Sequence, residues 1–264
     1  MMTADPQFEQ ISFRRQGRIA YASFNRPDVL NAFSRTMERE LCDLLYFITR
    51  DPDSDVLVLS GEGRAFSAGA DFAFMQENID HPERFDITSA KQVVFSLLDC
   101  PKPIIAKING DAVGLGATIA LFCDISFAAD TAKIGDPHVR AGYVAGDGGA
   151  AIWPYLIGFA RAKEFLFTGD LLAAQRAADI GLINHCVAPN ELDERVDAFA
   201  EKLARGATLA IRWTKMTVNV SLKQIATATL DAGMAYEALS NMTADHREAV
   251  AAFKEKRRPV FKGV

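Results

Sequence analysis

The sequence has few of the residues that build disulfide or metal sites. Its four cysteines stand 58, 23 and 63 residues apart, so it contains no Cys-x-x-Cys pair. Each cysteine lies in an apolar stretch, which is typical of a buried, reduced thiol. His81, His185 and His246 fall in a predicted loop, a predicted strand and a polar C-terminal stretch, and nothing groups them. We therefore predict no metal site and no disulfide framework.

Excess positive charge and long apolar runs are also absent. The net charge is −5 and charged residues make up 24% of the chain, a proportion typical of a soluble protein. A strongly basic surface for nucleic acid is not indicated. No apolar run is long enough to span a bilayer, and the start, "MMTADPQFEQ", lacks the apolar segment of a secretory leader. We expect a cytoplasmic protein that contacts neither membranes nor nucleic acid.

Nucleotide-binding motifs are incomplete. "GEGRAF" has Phe66, and "GLGATI" has Ile119, where a dinucleotide fingerprint needs its third glycine, and no P-loop is present. Taken alone, these glycines favour tight backbone packing. However, each loop follows a predicted buried strand, "DVLVLSG" or "KPIIAKING". Two such loops, each at the N-terminus of a helix, could aim two N–H groups at one oxygen, as an oxyanion hole requires.

Apolar periodicity predicts an α/β fold. The chain has 264 residues, of which 49% are hydrophobic, enough for a large core. "ISFRRQG" and "RIAYASFN" predict a hairpin, and Ser34 is typical of the N-cap of a helix. Strands and helices then alternate, and helices alone follow from residue 208. We predict a mostly parallel sheet core over residues 1–200 and a helical region over 201–264. The predicted apolar face of the first helix consists of Met37, Leu41, Leu44, Leu45 and Ile48.

Six segments in order carry a resemblance to a known family. They are "NRPDVLNAFS" (25–34), "GEGRAFSAGADF" (61–72), "KPIIAKINGDAVGLGATIALFCDISFAAD" (102–130), "GDPHVRAGYVAGDGG" (135–149), "FTGDLLAAQRAADIGLINHCV" (167–187) and "FKEKRRPVFKG" (253–263). Together they span nearly the whole chain. In these segments the chain resembles the crotonase superfamily, which is the enoyl-CoA hydratase/isomerase family.

This resemblance implies a fold, a ligand and an assembly. The fold would be the crotonase-like, or Clp-protease-like, spiral of ββα units with a C-terminal helical trimerisation region. The chain would form a homotrimer or a homohexamer built as a dimer of trimers. The ligand would be an acyl-CoA thioester, so that coenzyme A belongs to the substrate and no cofactor is bound permanently. The backbone N–H groups of Ala70 and Leu115 would form the oxyanion hole that stabilises a thioester enolate.

The resemblance also implies where coenzyme A binds. The basic stretch "FKEKRRPVFKG" has two interpretations, a contact with the phosphates of coenzyme A or a solvated helix end. A neighbouring subunit could supply its part of the site. The implied contact residues are Arg26, Asp28, Val29, Leu30, Ala68, Asp71, Phe72, Phe253 and Lys256.

The chain departs from the family at two catalytic positions. Hydratases of this family carry two glutamates, and the corresponding residues here are Thr118 and His138. A mechanism with two carboxylates at these positions is therefore not available. Imidazole, with an ordinary pKa of about 6.5, can act as acid or base near neutrality. Asp147, nine residues after His138, could orient or pair with the ring, or could cap the helix beginning near Gly148, or both.

Three functions remain open from the sequence. The first is an acyl-CoA enzyme of the hydratase or isomerase type that uses His138. The second is a hydrolase of carbon–carbon bonds in β-diketones, because a crotonase branch with that activity resembles this chain in a His–Asp pair; another branch, the dehalogenases, uses a loop aspartate as nucleophile. The third is a catalytically silent acyl-CoA-binding subunit. We expect the acyl pocket to draw on residues 73–95 and on the regions around Trp153 and Trp213.

Overall fold

Two β-sheets form the centre of the chain, whose computed structural model describes residues 5–264. The first four residues of "MMTADPQFEQ", which is expected to carry no leader, lie outside the described residues. The strands are β1 (Ile11–Gln16), β2 (Ile19–Phe24), β3 (Val56–Gly61), β4 (Ala65–Ser67), β5 (Ile104–Ile108), β6 (Asp111–Val113), β7 (Ile125–Ala129), β8 (Lys133–Gly135), β9 (Leu172–Ala173) and β10 (His185–Val187).

Helices cover both faces of this centre. They are α1 (Arg35–Arg50), α2 (Phe72–Asp80), α3 (Ser89–Asp99), α4 (Leu115–Phe122), α5 (Gly149–Ile157), α6 (Phe159–Thr168), α7 (Ala174–Asp179), α8 (Leu192–Ala204), α9 (Thr208–Asn241) and α10 (Ala244–Lys254).

The larger sheet has six strands in the order β1-β2-β3-β5-β7-β10. The first pair is the predicted antiparallel hairpin, which turns at Gly17 with a φ of 57°, and the other pairs are parallel. Successive side chains of a strand point to opposite faces. In β3, Leu57 and Leu59 therefore join one buried cluster with α1 and α3, while Val56 and Val58 join a second cluster with α8. This explains the unbroken apolar run in the sequence.

The smaller sheet has four strands in the order β4-β6-β8-β9. Strands β3, β5 and β7 of the large sheet each continue within a few residues into β4, β6 and β8 of the small one, and a helix follows each. The chain thus forms repeated ββα units, which is the crotonase-like spiral that the resemblance implied. Because the units stack, the starts of α2 and α4 and the segment before α5 come together at one end of the small sheet.

The C-terminal helices contact this core. Helix α9 packs against α3 and α5, and α10 packs against the segment that follows β8. The buried face of α9 includes Ala226, Leu230, Met234, Glu237 and Asn241. The division of the chain near residue 200 stays a prediction.

Two glycine-containing segments depart from simple helix and loop patterns. Helices α5 and α6 are separate, because Gly158 lies between them with a φ of 82°. The segment "GEGRAFSAGADF" contains the short strand β4. No helix within residues 5–264 combines the length and the apolar character needed to cross a membrane.

The N-cap of α1 provides a test of the local folding argument. The Ser34 side chain accepts a hydrogen bond from the N–H of Met37 at 3.2 Å, and the predicted apolar face of α1 is buried. We expect Ser34→Ala to lower the free energy of unfolding by about 1 kcal/mol, since a helix N–H loses its partner. Ser34→Thr keeps the hydroxyl and should retain most of this stability. Urea denaturation measures both, and equal losses in the two variants would contradict the capping role.

Candidate active site

Two connected cavities lie where the ββα units meet. The larger, here called the outer groove, has a volume of about 740 Å³ and is open to solvent. The smaller, here called the inner pocket, holds only about 50 Å³ of free volume. Ala70 and Met75 line both cavities and mark where they join. Leu115, His138 and Asp147 line the inner pocket together with Ala70. The structure therefore brings the four catalytic candidates into one place.

Two glycines hold the candidate oxyanion hole together. Gly69 and Gly114 have φ values of 91° and 54°, and a Cβ on Gly69 would lie only 2.9 Å from the Val113 carbonyl oxygen. The two loops can approach this closely only without side chains. The approach sets Ala70 beside Leu115, which is the first residue of α4 and so has no partner for its N–H within the helix. Within residues 5–264, neither N–H donates a hydrogen bond, so both are free for a ligand oxygen.

His138 lies in a short turn after β8, between two carboxylates. Its Nδ1 is hydrogen-bonded to Asp136, and its Nε2 lies 3.5 Å from Oδ2 of Asp147. A Cβ placed on Gly114 would lie 3.5 Å from His138 Cε1, so the ring stands directly beside the candidate oxyanion hole. The side chain of His138 is only 11% exposed. Because Nδ1 is hydrogen-bonded to Asp136, a substrate in the inner pocket would meet the ring at Nε2.

Burial and charge shift the pKa values of this cluster. Burial by itself lowers the pKa of His138, but the carboxylates of Asp136 and Asp147 outweigh it and hold that pKa well above 6.5. Burial raises the pKa of Asp147, the His138 cation opposes this, and the Asp136 charge adds to it. The ring is therefore an imidazolium near neutral pH, and Asp147 is a stronger base than an ordinary aspartate.

Asp147 is held by Thr118 and by the start of α5. Its Oδ1 accepts hydrogen bonds from the Thr118 hydroxyl at 3.2 Å and from the Gly149 N–H at 3.4 Å. Asp147 therefore contacts both the histidine and the start of α5, whose N-cap residue is Gly148. A Cβ on Gly148 would lie 2.6 Å from Thr118 Cγ2. The segment before α5 fits against Thr118 because residue 148 has no side chain.

Asp136 is a site residue that the sequence analysis missed. It is 2% exposed, and its Oδ2 packs so closely on Gly149 that a Cβ there would overlap it. The N-terminus of α5 carries partial positive charge, which favours a buried carboxylate at this point. The available sequence signal was the Asp-Pro-His order, which places a carboxylate two residues before His138.

The spacing of this cluster is also that of a metal site. Asp136, His138 and Asp147 each offer one ligand atom, and these atoms lie within 4.8 Å of one another. A metal-bound histidine must be neutral, whereas the two carboxylates here favour the protonated ring. The absence of a resident metal stays a prediction.

Two further carboxyl groups line the inner pocket and were also missed. Glu237 on α9 and Glu38 on α1 are 7% and 8% exposed. Burial raises the pKa of Glu237 to about 8, with Asp147 adding to the shift and His138 opposing it. Burial likewise raises the pKa of Glu38 to about 7, against the opposing charge of Arg35. For Glu237 the sequence signal was a charged residue in helical register with the apolar residues Leu230 and Met234.

Most residues expected to contact coenzyme A line the outer groove. The Phe72 and Phe253 rings stack there with centroids 5.1 Å apart, so α10 of the same chain closes one side of the groove. Arg64 and Arg140, which the sequence analysis did not select, supply cations to the lining. The expected residues that line it are Asp28, Val29, Leu30, Ala68, Asp71, Phe72 and Phe253.

Two of the residues expected to contact coenzyme A lie outside the cavity linings. Arg26 instead binds the Asp71 carboxylate at 2.7 Å, and Lys256 lies in an exposed turn after α10. Neither tryptophan lines these two cavities, and a contribution from the regions around them stays a prediction. Trp153 is fully buried against Phe165, and Trp213 is 66% exposed on α9.

The basic C-terminal stretch has internal partners. Arg257 forms ion pairs with Glu248 and Glu255, and Lys254 donates to Gln76 at 2.6 Å. These contacts fit the interpretation of a solvated helix end. Phe253 is the residue of this stretch that lines the groove.

Comparisons with known proteins agree with this geometry. A family model described as Enoyl-CoA hydratase/isomerase matches residues 14–264. The chain is 35% identical to the crotonyl-CoA hydratase of Syntrophomonas wolfei, over 96% of this chain and 98% of that protein. It is 32% identical to the short-chain-enoyl-CoA hydratase of Clostridium acetobutylicum, over 96% and 97% of the two chains. The crystal structure of an enoyl-CoA hydratase/isomerase from Mycobacterium paratuberculosis is 35% identical, with a TM-score of 0.86 over 92% of this chain and 97% of that one.

The raised carboxyl pKa values predict how stability depends on pH. Between the unfolded pKa of a glutamate, 4.5, and the folded value of about 8, Glu237 holds a proton in the folded state only. The free energy of unfolding should therefore fall as pH rises across this window. Titration of His138 should also make the free energy of unfolding fall as pH rises, because the pKa of His138 is raised in the folded state. Glu237→Gln should reduce this slope in urea denaturation at pH 5.5 to 8.5.

The control for this measurement is Glu194→Gln. Glu194 is an exposed glutamate on α8, and its variant should keep the slope of the wild type. An unchanged slope in Glu237→Gln would contradict the raised pKa of that carboxyl.

Proposed function

Because the chain belongs to the enoyl-CoA hydratase/isomerase family, and is an enzyme of that family, we propose that it hydrates short 2-enoyl-CoA thioesters with a His138–Asp147 pair in place of two glutamates. The thioester oxygen would lie against the N–H groups of Ala70 and Leu115. Negative charge develops on this oxygen when water adds to the β-carbon. Preorganised N–H donors stabilise that charge without reorganisation.

The observation that carries the proposal is the position of His138 Nε2. It lies 3.5 Å from Asp147 Oδ2, and both face the inner pocket beside the candidate oxyanion hole. Asp147 takes a proton from water as its oxygen bonds to the β-carbon, and the imidazolium donates its proton to the α-carbon. The Asp147 proton then returns to His138, which restores both groups. Their short separation suits addition of both parts of water to one face of the double bond.

Neighbouring residues hold His138 and Asp147 in position. Asp136 holds the ring by Nδ1 and stabilises its protonated form, as the carboxylate of a catalytic triad does. Thr118 holds the carboxylate of Asp147 through its hydroxyl. Coenzyme A would occupy the outer groove, with Arg64 and Arg140 close to its phosphates. Arg26 and Lys256 stay predicted contacts with coenzyme A.

A second candidate is hydrolysis of a carbon–carbon bond in a β-dicarbonyl compound. The Asp136–His138 hydrogen bond favours it, because a histidine oriented by a carboxylate can activate water for attack on a carbonyl. This role needs a neutral ring, whereas the neighbouring carboxylates hold the pKa of His138 well above 6.5. The hydratase role uses the protonated ring and so fits the site better.

We also propose the homotrimer or homohexamer that the family resemblance implies. Apolar side chains on the outer face of α9 support this proposal, since a large exposed apolar surface is typical of an interface. Trp213, Val220 and Tyr236 of this helix are 66%, 56% and 62% exposed.

The test is turnover of crotonyl-CoA, followed by the loss of absorbance of the enoyl thioester. We expect His138→Ala and Asp147→Asn each to lower kcat by about 10² to 10⁴, the usual contribution of a positioned acid or base. KM should change little, because binding lies mainly in the outer groove. Glu194→Gln serves as the control and should match the wild type.

Other outcomes separate the alternatives. Cleavage of a β-dicarbonyl substrate without hydration of crotonyl-CoA would support the hydrolase. Binding of crotonyl-CoA without turnover of either substrate would indicate a silent subunit. Full activity in both variants would exclude the His138–Asp147 mechanism.

The oxyanion hole can be tested through the backbone of Leu115. Proline is tolerated at the first position of a helix, so Leu115→Pro removes the N–H while α4 can still form. Leu115→Ala removes the same side chain and keeps the N–H. We expect kcat of the proline variant to fall about 10² to 10³ below that of the alanine variant. Equal kcat values, in variants with matching circular dichroism spectra, would remove this N–H from the mechanism.

A further inference from the structure

The inner pocket contains two carboxyl groups that the proposed hydration does not use. Oε2 of Glu237 is buried and has no hydrogen-bond partner among the described residues. The Glu38 side chain lines the same pocket and forms no hydrogen bond or ion pair within the described residues, and the guanidinium of Arg35 binds Asn78 at 3.1 Å. A buried carboxyl oxygen without a partner costs stability unless a ligand or water satisfies it. The unpartnered oxygen of Glu237, with a second carboxyl group in the same small pocket, therefore points to a polar ligand.

The pocket is also short, and part of its wall is apolar. Its free volume of about 50 Å³ compares with the ~10–15 Å³ that one water needs by the same measure. This leaves space for a chain of only a few non-hydrogen atoms. Phe74, Phe85 and Met234 supply apolar walls. Asn78, Asp86, Ser89 and Tyr143 also offer polar groups to the pocket. Among the groups that the proposed hydration does not use, Oε2 of Glu237 is the buried lining atom without a hydrogen-bond partner within the described residues.

Charge limits the polar group further. Four acidic residues line the pocket, and His138, already paired with carboxylates, is its basic lining residue within the described part of the chain. An acyl group that ends in a carboxylate would meet like charge with no lysine or arginine to balance it. A hydroxyl group can accept from a carboxylic acid and donate to a carboxylate, so it suits either protonation state of the two glutamates.

We propose that the inner pocket selects a short acyl group that carries a hydroxyl, and that Glu237 and Glu38 are the residues that recognise it. This inference rests on the proposed action on acyl-CoA thioesters and adds the substrate class. Glu237 comes from α9, whose Gly233 touches Gly146 in the segment before α5. Glu237 follows Gly233 by about one turn on the same face of α9. The contact of Gly233 with Gly146 therefore places Glu237 beside His138 and Asp147.

The experiment compares three 2-enoyl-CoA thioesters on one four-carbon skeleton. Their terminal carbon is a methyl, a hydroxymethyl or a carboxylate group. We expect kcat/KM for the hydroxymethyl compound to exceed that for the methyl compound by about tenfold or more, because a site built for a hydroxyl rejects the analogue that lacks it. The carboxylate compound should be the poorest of the three.

Variants assign this selectivity to the carboxyl groups. Glu237→Leu should lose the preference for the hydroxymethyl compound and accept the methyl compound equally or better. Glu237→Gln, which keeps a hydrogen-bond donor and acceptor, should retain the preference. Glu38→Leu should act like Glu237→Leu, and Glu194→Gln should match the wild type. Equal or better turnover of the methyl compound by the wild type would overturn the proposal, and so would a uniform loss on all three substrates in Glu237→Leu.

Failure of the hydratase activity can be told apart from failure of this inference. If none of the thioesters is turned over, titration calorimetry with the saturated analogues butanoyl-CoA, 4-hydroxybutanoyl-CoA and succinyl-CoA still measures selectivity. Tighter binding of the hydroxylated analogue, lost in Glu237→Leu, would support the inference without the reaction. Equal Kd values for the first two analogues would overturn it.

Discussion

A buried histidine held between two buried carboxylates is the interaction on which the rest of the site depends. Charges removed from water are costly unless they are paired, and here the imidazole pairs with both carboxylates. Oδ2 of Asp136 and Oδ2 of Asp147 accept no hydrogen bond within the described residues. Asp136 binds the ring and lies at the N-terminus of α5. Asp147 faces the other ring nitrogen and is held by Thr118. The "GDGG" stretch follows from this packing, because side chains on Gly148 and Gly149 would displace Thr118 and Asp136.

The ββα spiral is what brings these groups together. Each unit ends at the same edge, so the segment before α2 supplies Ala70, the start of α4 supplies Leu115, and the turn after β8 supplies His138. The glycines at 69 and 114 then let two loops approach until their free N–H groups lie side by side. The backbone donors follow β4 and β6 closely, whereas His138 comes from the turn after β8 and Asp147 from the segment before α5.

The electrostatics of the inner pocket follow from the residues at positions 118, 138 and 147. The Thr118 hydroxyl holds the Asp147 carboxylate at 3.2 Å, and Asp147 faces His138. The site therefore combines an imidazole and a carboxylate in one ion pair. Glu237 and Glu38 add buried carboxyl groups around it, and their raised pKa values follow from burial. A pocket of this charge suits an uncharged polar acyl group.

The sequence alone determined the class of fold, because strand and helix periods depend on residues close along the chain. The buried strands and the cap at Ser34 could be obtained in this way. Ala70, Leu115, His138 and Asp147 were instead implied by the resemblance of six segments to the crotonase superfamily. Tertiary structure alone decided which side chains surround them. Glu237 lies 90 residues beyond Asp147, and only the close contact of Gly233 with Gly146 carries it into the pocket. Local sequence patterns do not predict such contacts, because burial and pKa shifts arise from groups that are distant in the sequence and adjacent in space.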